Sequence, residues 1–325
     1  MKKAELVSLL RARYLDQAAL VAKDPLLLGA RCMCDVADLC EAGGMMRVRP
    51  SELEDPEKLP VPEFAYINYF RDGDDYVIVV PDEFVRVFSD MDFDDARDRV
   101  SRFDAAKNYL GFVCDTRGLI SLEEAAQGLA ERFSGLDEKE VKRALEAGTS
   151  LPVAELDDET YVVALDLIVW SDRDRRWVFD KGIARKTLEE QVGKQAYWPN
   201  VEECVYRNVF DMATTIDEGR ALLSFLEAHV PDEEDDITFP FEYMKWVVDH
   251  TLAPLDPQES VDMITDIVNA VALSMAQADR VMRLIMALED VLPKRSLNGY
   301  SPKRYTDEVM GGKSSGKLVF VRSSR

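Results

Sequence analysis

The stretch DARDRVSRFDAAKNYLGFVCDTRG, Asp95 to Gly118, begins the most regular pattern of this 325-residue chain. Its apolar residues recur at helical spacing up to the glycine, so it predicts one long amphipathic helix. Two shorter helical segments follow, SLEEAAQGLAERF from Ser121 and DEKEVKRALEAG from Asp137, and both open with the spacing of a capping box. Two strand-like runs, LPVAEL and TYVVALDLIVW, are then joined by an acidic turn. Three helices and a two-stranded wing predict a winged-helix-like module over residues 93–170.

The regions on either side of this module have different patterns. Residues 1–92 predict helices and a β-hairpin, because β-branched and aromatic runs flank Asp72-Gly73. A polar, locally basic stretch then breaks the pattern and places a boundary before a C-terminal helical domain, residues 171–293. The last segment, residues 294–325, predicts a basic tail. The expected fold class is therefore mostly α (α+β), with a helical bundle at the C-terminal end.

The core of the predicted bundle consists of two apolar stripes at helical spacing. A strong helix start, Asp256-Pro257-Gln258-Glu259, precedes the first stripe. The first stripe comprises Val261, Ile264, Val268, Val271 and Met275. The second comprises Val281, Leu284, Ile285 and Leu288. We expect the two stripes to pack against each other.

Charge is the main asymmetry of the sequence. The net charge is −22, whereas residues 294–325 carry eight basic and two acidic side chains, which gives +6 and leaves −28 for the remainder. Such an acidic body opposes non-specific nucleic-acid binding, which depends on Lys and Arg neutralising phosphates. The acids of the predicted third helix and of the wing turn argue in the same direction. The composition therefore favours a protein partner over DNA or RNA.

Cysteine usage and hydropathy indicate a cytoplasmic protein. Five cysteines, an odd number spread along the chain, do not form a disulfide framework. No apolar run approaches the roughly 18 residues that a transmembrane helix needs, and Glu5, Arg11 and Arg13 interrupt any signal-peptide core. We therefore expect no membrane association.

Two stretches come close to known ligand-binding motifs. GGKSSGKLVF, Gly311 to Phe320, matches a P-loop at both glycines and the lysine, but Leu318 stands where a Mg²⁺-binding hydroxyl is needed. Asp90, Asp92 and Asp94 have EF-hand spacing, but the glycine and the final glutamate of that loop are missing. A basic tail and an acidic helix N-terminus explain these stretches better.

The sequence predicts no cofactor, metal or catalytic residues. Cys32 and Cys34 of the C-x-C-x5-C segment point about 200° apart on a helix, which disfavours a shared metal. The two histidines, His229 and His250, have no metal-motif spacing, and no G-x-S-x-G nucleophile elbow occurs. An enzyme would need a site assembled by the fold from distant parts of the chain.

Basic residues supply the candidate binding site for an anionic partner. A first group surrounds Trp177, and a second lies in the basic tail. The candidate residues are Arg175, Arg176, Lys181, Lys303, Arg304, Lys313 and Lys317. Neighbouring acids such as Asp172 and Asp174 leave open that the first group is only a solvated linker face.

Several short motifs resemble a group of uncharacterised bacterial helical proteins associated with the SEC-C cysteine motif. They are VVPDEF, YLGFVCDTRGLISLEEAAQGLAERF and LNGYSP, whose Gly299, Tyr300, Ser301 and Pro302 match a G-[HY]-[ST]-P element of that group. The similarity spans residues 62–305 and implies a helical architecture without a known activity. Since no cysteine follows Cys204, the SEC-C metal knuckle is absent.

Three functions are consistent with the sequence. The leading hypothesis is a non-enzymatic, cytoplasmic protein-interaction or regulatory module. The first alternative is a nucleic-acid-associated factor that uses the winged-helix-like module and the basic tail. The second is an enzyme with a site assembled across domains; a deep pocket that holds His229 or His250 beside a cysteine or carboxylate would support it. The sequence does not indicate the oligomeric state.

Overall fold

The computed structural model describes residues 3–27, 30–49, 68–147, 151–171, 173, 175–202, 204–229, 239–252, 257–270 and 274–311. The acidic, Pro-rich connection around residue 55 lies outside the described residues, as do Lys313, Lys317 and the rest of the P-loop-like stretch after Gly311.

Helices make up most of the described chain. Their bounds are α1 Lys3–Lys23, α2 Ala30–Glu41, α3 Asp82–Phe88, α4 Phe93–Arg117, α5 Leu122–Arg132, α6 Glu138–Glu146, α7 Lys181–Gln191, α8 Val209–Thr215, α9 Asp217–His229, α10 Phe239–Leu252, α11 Pro257–Ala270, α12 Met275–Val291 and the single turn α13 Pro302–Arg304. The strands are β1 Met45–Val48, β2 Asn68–Asp72, β3 Asp75–Val79, β4 Leu119–Ser121, β5 Val153–Leu156, β6 Glu159–Val163, β7 Ile168–Ser171 and β8 Arg176–Phe179. They form small antiparallel sheets. The mostly α (α+β) class is therefore confirmed.

The chain divides into two compact units that are interleaved in sequence. The first unit contains residues 1–107 and 122–151, and the second contains residues 108–121 and 152–325. Helix α4 begins in the first unit and ends in the second. The domain boundaries at 92, 170 and 293 stay a prediction.

The first unit combines helices with a three-stranded sheet. Strands β2 and β3 form the predicted hairpin, in which Gly73 adopts a φ of 65°. Strand β1, which the sequence pattern did not predict, pairs with the other edge of β3. Helices α5 and α6 pack against each other. As predicted, Asp137 caps α6: its side chain accepts hydrogen bonds from the N–H groups of Lys139 and Glu140. The Asp24 carboxylate, nearly buried, contacts Arg143 of α6 at 2.8 Å.

The second unit contains a three-stranded sheet, the β7–β8 hairpin and a helical core. Strand β6 lies between β4 and β5, and the β5–β6 turn places Asp157 and Asp158 in left-handed conformations. The run TYVVALDLIVW, predicted as a single strand, forms two strands, β6 and β7, which a short 3-10 turn separates. Helices α4, α5 and α6 and strands β5 and β6 follow one another in the predicted order, but strand β4, which was not predicted, lies between α4 and α5. The winged-helix interpretation itself stays a prediction, since α5–α6 and the sheet belong to different units.

Helices α8 to α12 supply the largest apolar core of the second unit. Buried residues from these helices form one cluster with Phe112 of α4. In α12, Val281, Ile285 and Leu288 are fully buried, as predicted. In α11, Ile264 and Val268 are partly buried and pack against this cluster, as predicted, but Met263 and Ile267 are the fully buried residues and Val261 is 56% exposed. Met275, at the start of α12, is 82% exposed, and Val271 lies outside the described residues.

Candidate functional site

One face of the β7–β8 hairpin is apolar and extends from the buried core at the base of the hairpin to solvent. At its base the cross-strand pair Ile168 and Phe179 packs against a buried cluster that includes Leu167 and Ala184. One step outward, Trp170 pairs directly with Trp177, and their ring centroids lie 5.7 Å apart in an edge-to-face arrangement. These two indoles are 50% and 66% exposed. The apolar face therefore ends in an exposed tryptophan pair.

Three predicted anion-binding residues lie on or next to this hairpin. Arg175 lies in its turn with a φ of 49°, Arg176 begins β8, and Lys181 begins α7. All three side chains are exposed, and none of them forms an ion pair within the described part of the chain. We refer to Trp170, Arg175, Arg176 and Trp177 as the tryptophan–arginine hairpin. Arg175 and Arg176 therefore lie at the turn end of the hairpin, whereas Lys181 follows its base, beyond the Ile168–Phe179 pair.

Another member of the same basic stretch is already engaged. The Arg185 guanidinium donates two hydrogen bonds to the Asp157 carboxylate, at 3.0 and 2.6 Å. These bonds hold the pKa of Asp157 below its ordinary value. Arg185 therefore connects α7 to the acidic β5–β6 turn and is not available to an anionic partner in this arrangement.

A buried arginine is the centre of the polar network in the second unit. Arg295 is only 1% exposed and lies in the segment predicted to be a basic tail. Its guanidinium donates two hydrogen bonds to Asp166, both at 2.8 Å, and its Nε donates a third to the main-chain carbonyl of Asp115. Burial raises the pKa of the Asp115 carboxyl. A hydrogen bond from the Val209 N–H and the nearby positive charge of Arg295 act in the opposite direction but do not cancel this rise. The first part of the predicted tail is therefore an integral part of the fold.

Amide side chains extend this network to the LNGYSP motif. The Gln191 amide donates to the main-chain carbonyls of Arg117 and Arg295. Asn298, at a φ of 52°, accepts from Arg117 Nε at 2.9 Å and donates to the Lys194 carbonyl. Gly299 follows with a φ of 91°, and a Cβ there would approach Arg117 Cγ to 2.9 Å. The motif residues therefore serve packing and backbone geometry at this position.

A cavity of about 530 Å³ opens beside this motif, and all of its lining belongs to the second unit. Its buried lining includes Phe112, Thr116, Pro199, Pro293 and Gly299. Its partly exposed walls come from Tyr197, Cys204, Tyr206, Met212, Val291, Ser301 and Arg304. Lys303, Asp307 and Glu308 are exposed and form its rim. An apolar interior with a few polar groups is typical of ligand pockets.

Two further predicted site residues, Lys303 and Arg304, therefore line this cavity. Arg304 donates towards Glu308 at 3.2 Å and stacks over the Tyr197 ring at 5.0 Å. Lys303 is exposed and has no ion pair within the described residues. The sequence identified these cations but not the aromatic walls that accompany them, because Tyr197 and Tyr206 have no recognisable motif around them.

The histidines and the described cysteines do not form a catalytic arrangement. The rings of His229 and His250 hydrogen-bond main-chain carbonyls one turn earlier in their own helices, and neither lines the cavity. Burial raises the pKa values of the Cys40 and Cys204 thiols to about 11, so both are protonated at neutral pH. No metal-binding group of three or more His, Cys, Asp or Glu side chains occurs among the described residues.

The EF-hand-like acids have a structural explanation. Asp92 lies just before α4 and accepts a hydrogen bond from the Asp95 N–H at 3.1 Å. Asp94 lies in the first turn of the same helix. Acidic side chains at this end of a helix are stabilised by its dipole.

Comparison of the chain with protein-family models, curated proteins and solved structures gives no match. The resemblance to the SEC-C-associated group therefore stays a prediction. Within the described residues, no helix combines the length and the apolar character that crossing a bilayer requires.

Proposed function

We propose that this chain is a non-enzymatic protein-interaction module whose tryptophan–arginine hairpin docks an acidic segment of a protein partner. The observation that carries the proposal is the exposed pair Trp170 and Trp177, held edge to face at 5.7 Å on paired strands. Tryptophan and arginine are the side chains most enriched among the residues that dominate protein interfaces. A cross-strand pair also holds the rings in place before binding, which lowers the entropic cost of association.

Charge complementarity supports an acidic partner segment. Arg175 and Arg176 on the hairpin and Lys181 on α7 are exposed and have no ion pair within the described residues. They place exposed positive charge at the turn and just beyond the base of the hairpin, on a chain with a net charge of −22. Acidic residues in a partner would gain these contacts, while basic residues at other positions in the partner would be attracted by the rest of the chain.

The alternatives have weaker support. Nucleic-acid bases also stack on exposed tryptophans, but the net charge of −22 and the acidic Asp157–Asp158 turn oppose a phosphate backbone. The enzyme hypothesis would be strengthened by a pocket that holds His229 or His250 beside a cysteine or carboxylate. Neither histidine lines the cavity described above.

The test is a nuclease-treated pull-down from a lysate of the source organism, using the full chain and a Trp170→Ser/Trp177→Ser variant as baits. A protein captured by the wild type alone is then purified, and its affinity is measured by calorimetry. We expect the double substitution to weaken binding by about thirtyfold or more, as for other interface residues of this kind. The control is Met275→Ser/Met286→Ser, which removes exposed apolar side chains of α12 and should leave the affinity unchanged.

Two results would contradict the proposal. Equal affinity of the wild type and the double tryptophan variant would show that the hairpin is not the docking surface. Binding that disappears on nuclease treatment and falls steeply with salt would assign the hairpin to nucleic acid.

A further inference from the structure

The cavity beside the LNGYSP motif is held open by the backbone and buried hydrogen bonds around it. Tyr109 donates a hydrogen bond at 2.7 Å to the carbonyl of Pro199, a residue of the lining. Asn298 and Arg117 hold the turn that contains Gly299, and the Ser301 side chain caps the short helix that follows. These elements are fixed independently of any ligand, so the cavity is preformed, as most small-molecule sites are.

The interior of the cavity suits an apolar or aromatic group. Phe112 lies in the buried part of the lining, and Tyr206 packs near it with a ring-centroid separation of 6.4 Å. Met212 adds a flexible thioether side chain, which adapts readily to the shape of an apolar ligand. The volume of about 530 Å³ exceeds what one or two water molecules occupy and lies within the range of ligand pockets.

The rim carries one available charge of each sign. Arg304 is engaged with Glu308 and with the Tyr197 ring. In contrast, neither Lys303 nor Asp307 forms an ion pair within the described chain, and both side chains are exposed at the mouth of the cavity. An ammonium group and a carboxylate at the mouth of an apolar cavity are complementary to a molecule that has both charges at one end.

We infer that this cavity binds a small zwitterionic ligand with an aromatic or branched apolar side chain, that is, a free amino acid or short peptide. The ligand carboxylate contacts Lys303, its ammonium group contacts Asp307, and its side chain enters the space lined by Phe112, Tyr206 and Met212. This site is separate from the tryptophan–arginine hairpin, and the inference does not depend on the proposed function.

The test uses three probes that share one side chain and differ in the charged groups at the other end: L-tryptophan, N-acetyl-L-tryptophan and L-tryptophanamide. Their binding to the full chain is measured by calorimetry and by saturation-transfer NMR. We expect Lys303→Gln to weaken the two carboxylate-bearing probes about fivefold, the effect of one exposed ion pair, and to leave tryptophanamide unchanged. Asp307→Asn should weaken tryptophan and tryptophanamide by a similar factor and leave the N-acetyl probe unchanged.

Two control variants complete the design. Met212→Trp fills the cavity from a partly exposed position and should abolish binding of all three probes while circular dichroism and melting temperature stay close to wild type. Lys139→Gln removes an exposed lysine of α6, in the other unit, and should have no effect. The inference is overturned if no probe binds at millimolar concentration, if a folded Met212→Trp variant still binds, or if the charge variants do not distinguish the probes.

Discussion

The buried contact between Arg295 and Asp166 leads to an asymmetric prediction about stability. The arginine is 1% exposed, whereas the aspartate side chain is 57% exposed. Removing Asp166 leaves a buried guanidinium whose remaining carboxylate neighbour, Asp115, is 3.9 Å away. Removing Arg295 leaves the Asp166 carboxylate in contact with water and takes one hydrogen bond from the Asp115 carbonyl. We therefore expect Asp166→Ala to cost about 3–4 kcal/mol and Arg295→Met to cost only about 2 kcal/mol.

The double variant gives the sharper test. Once Arg295 is replaced by methionine, the Asp166 carboxylate has little left to contact, so adding Asp166→Ala should cost almost nothing more. The double-mutant cycle should therefore give a coupling free energy of at least about 2 kcal/mol. A matched control is Arg185→Met, which removes an equally bidentate contact to Asp157 that is half-exposed on both sides. That substitution should cost much less than Arg295→Met.

Equilibrium unfolding in urea, followed by tryptophan fluorescence, measures these free energies. All four tryptophans, Trp170, Trp177, Trp198 and Trp246, belong to the unit that contains Arg295, so the signal reports on that unit. If Asp166→Ala costs less than Arg295→Met, or if the coupling is below about 0.5 kcal/mol, the reasoning from burial is refuted.

Three further predictions follow from local geometry and burial. Gly299→Ala should lower the free energy of unfolding in urea by about 2 kcal/mol, because the new Cβ would clash with Arg117 and the backbone φ is positive. The control, Gly193→Ala, has a positive φ of 75° but nothing within 4 Å of the new Cβ, so it should cost only about 1 kcal/mol. Burial raises the pKa of Asp24 above 3.8, so the stability of the wild type relative to Asp24→Asn should be greatest at acidic pH and fall as the pH rises through that pKa. Urea midpoints of the two proteins between about pH 3 and pH 7 measure this difference, and a rise in the relative stability would contradict it. Cys204, with a thiol pKa of about 11, should react slowly with iodoacetamide at neutral pH and faster towards pH 10; mass spectrometry that found rapid labelling at pH 7 would contradict it.

The helices were largely predictable because their signals are local. The glycine at residue 118 ends α4, Asp137 caps α6, and the spacing of Val281 and Ile285 identified the buried side of α12. The error in α11 has a physical reason. Val261 fits the same periodicity as Ile264, but the buried side of α11 is centred on Met263 and Ile267, so Ile264 and Val268 lie at its edge and Val261 faces solvent.

The candidate sites were less predictable because their partners are distant in sequence. Strand β1 pairs with β3, and no local pattern specifies that partner. Arg295 looked like one cation of a basic tail, because its hydrogen-bond acceptor Asp166 lies 129 residues earlier. The basic cluster around Trp177 was visible in the sequence. The pairing of Trp177 with Trp170 was not visible, because it depends on the register in which strands β7 and β8 pair.

The interleaving of the two units sets an order for folding during synthesis. The first unit is complete once residue 151 has left the ribosome, whereas residues 108–121 belong to a unit that ends far downstream. Arg117 receives its partner Asn298 only 181 residues later, a wait of about 10–40 s at ordinary translation rates. During that time Phe112 has none of the α8–α12 side chains that bury it. Apolar surface at the end of α4 therefore stays without these partners until the later helices have been synthesised.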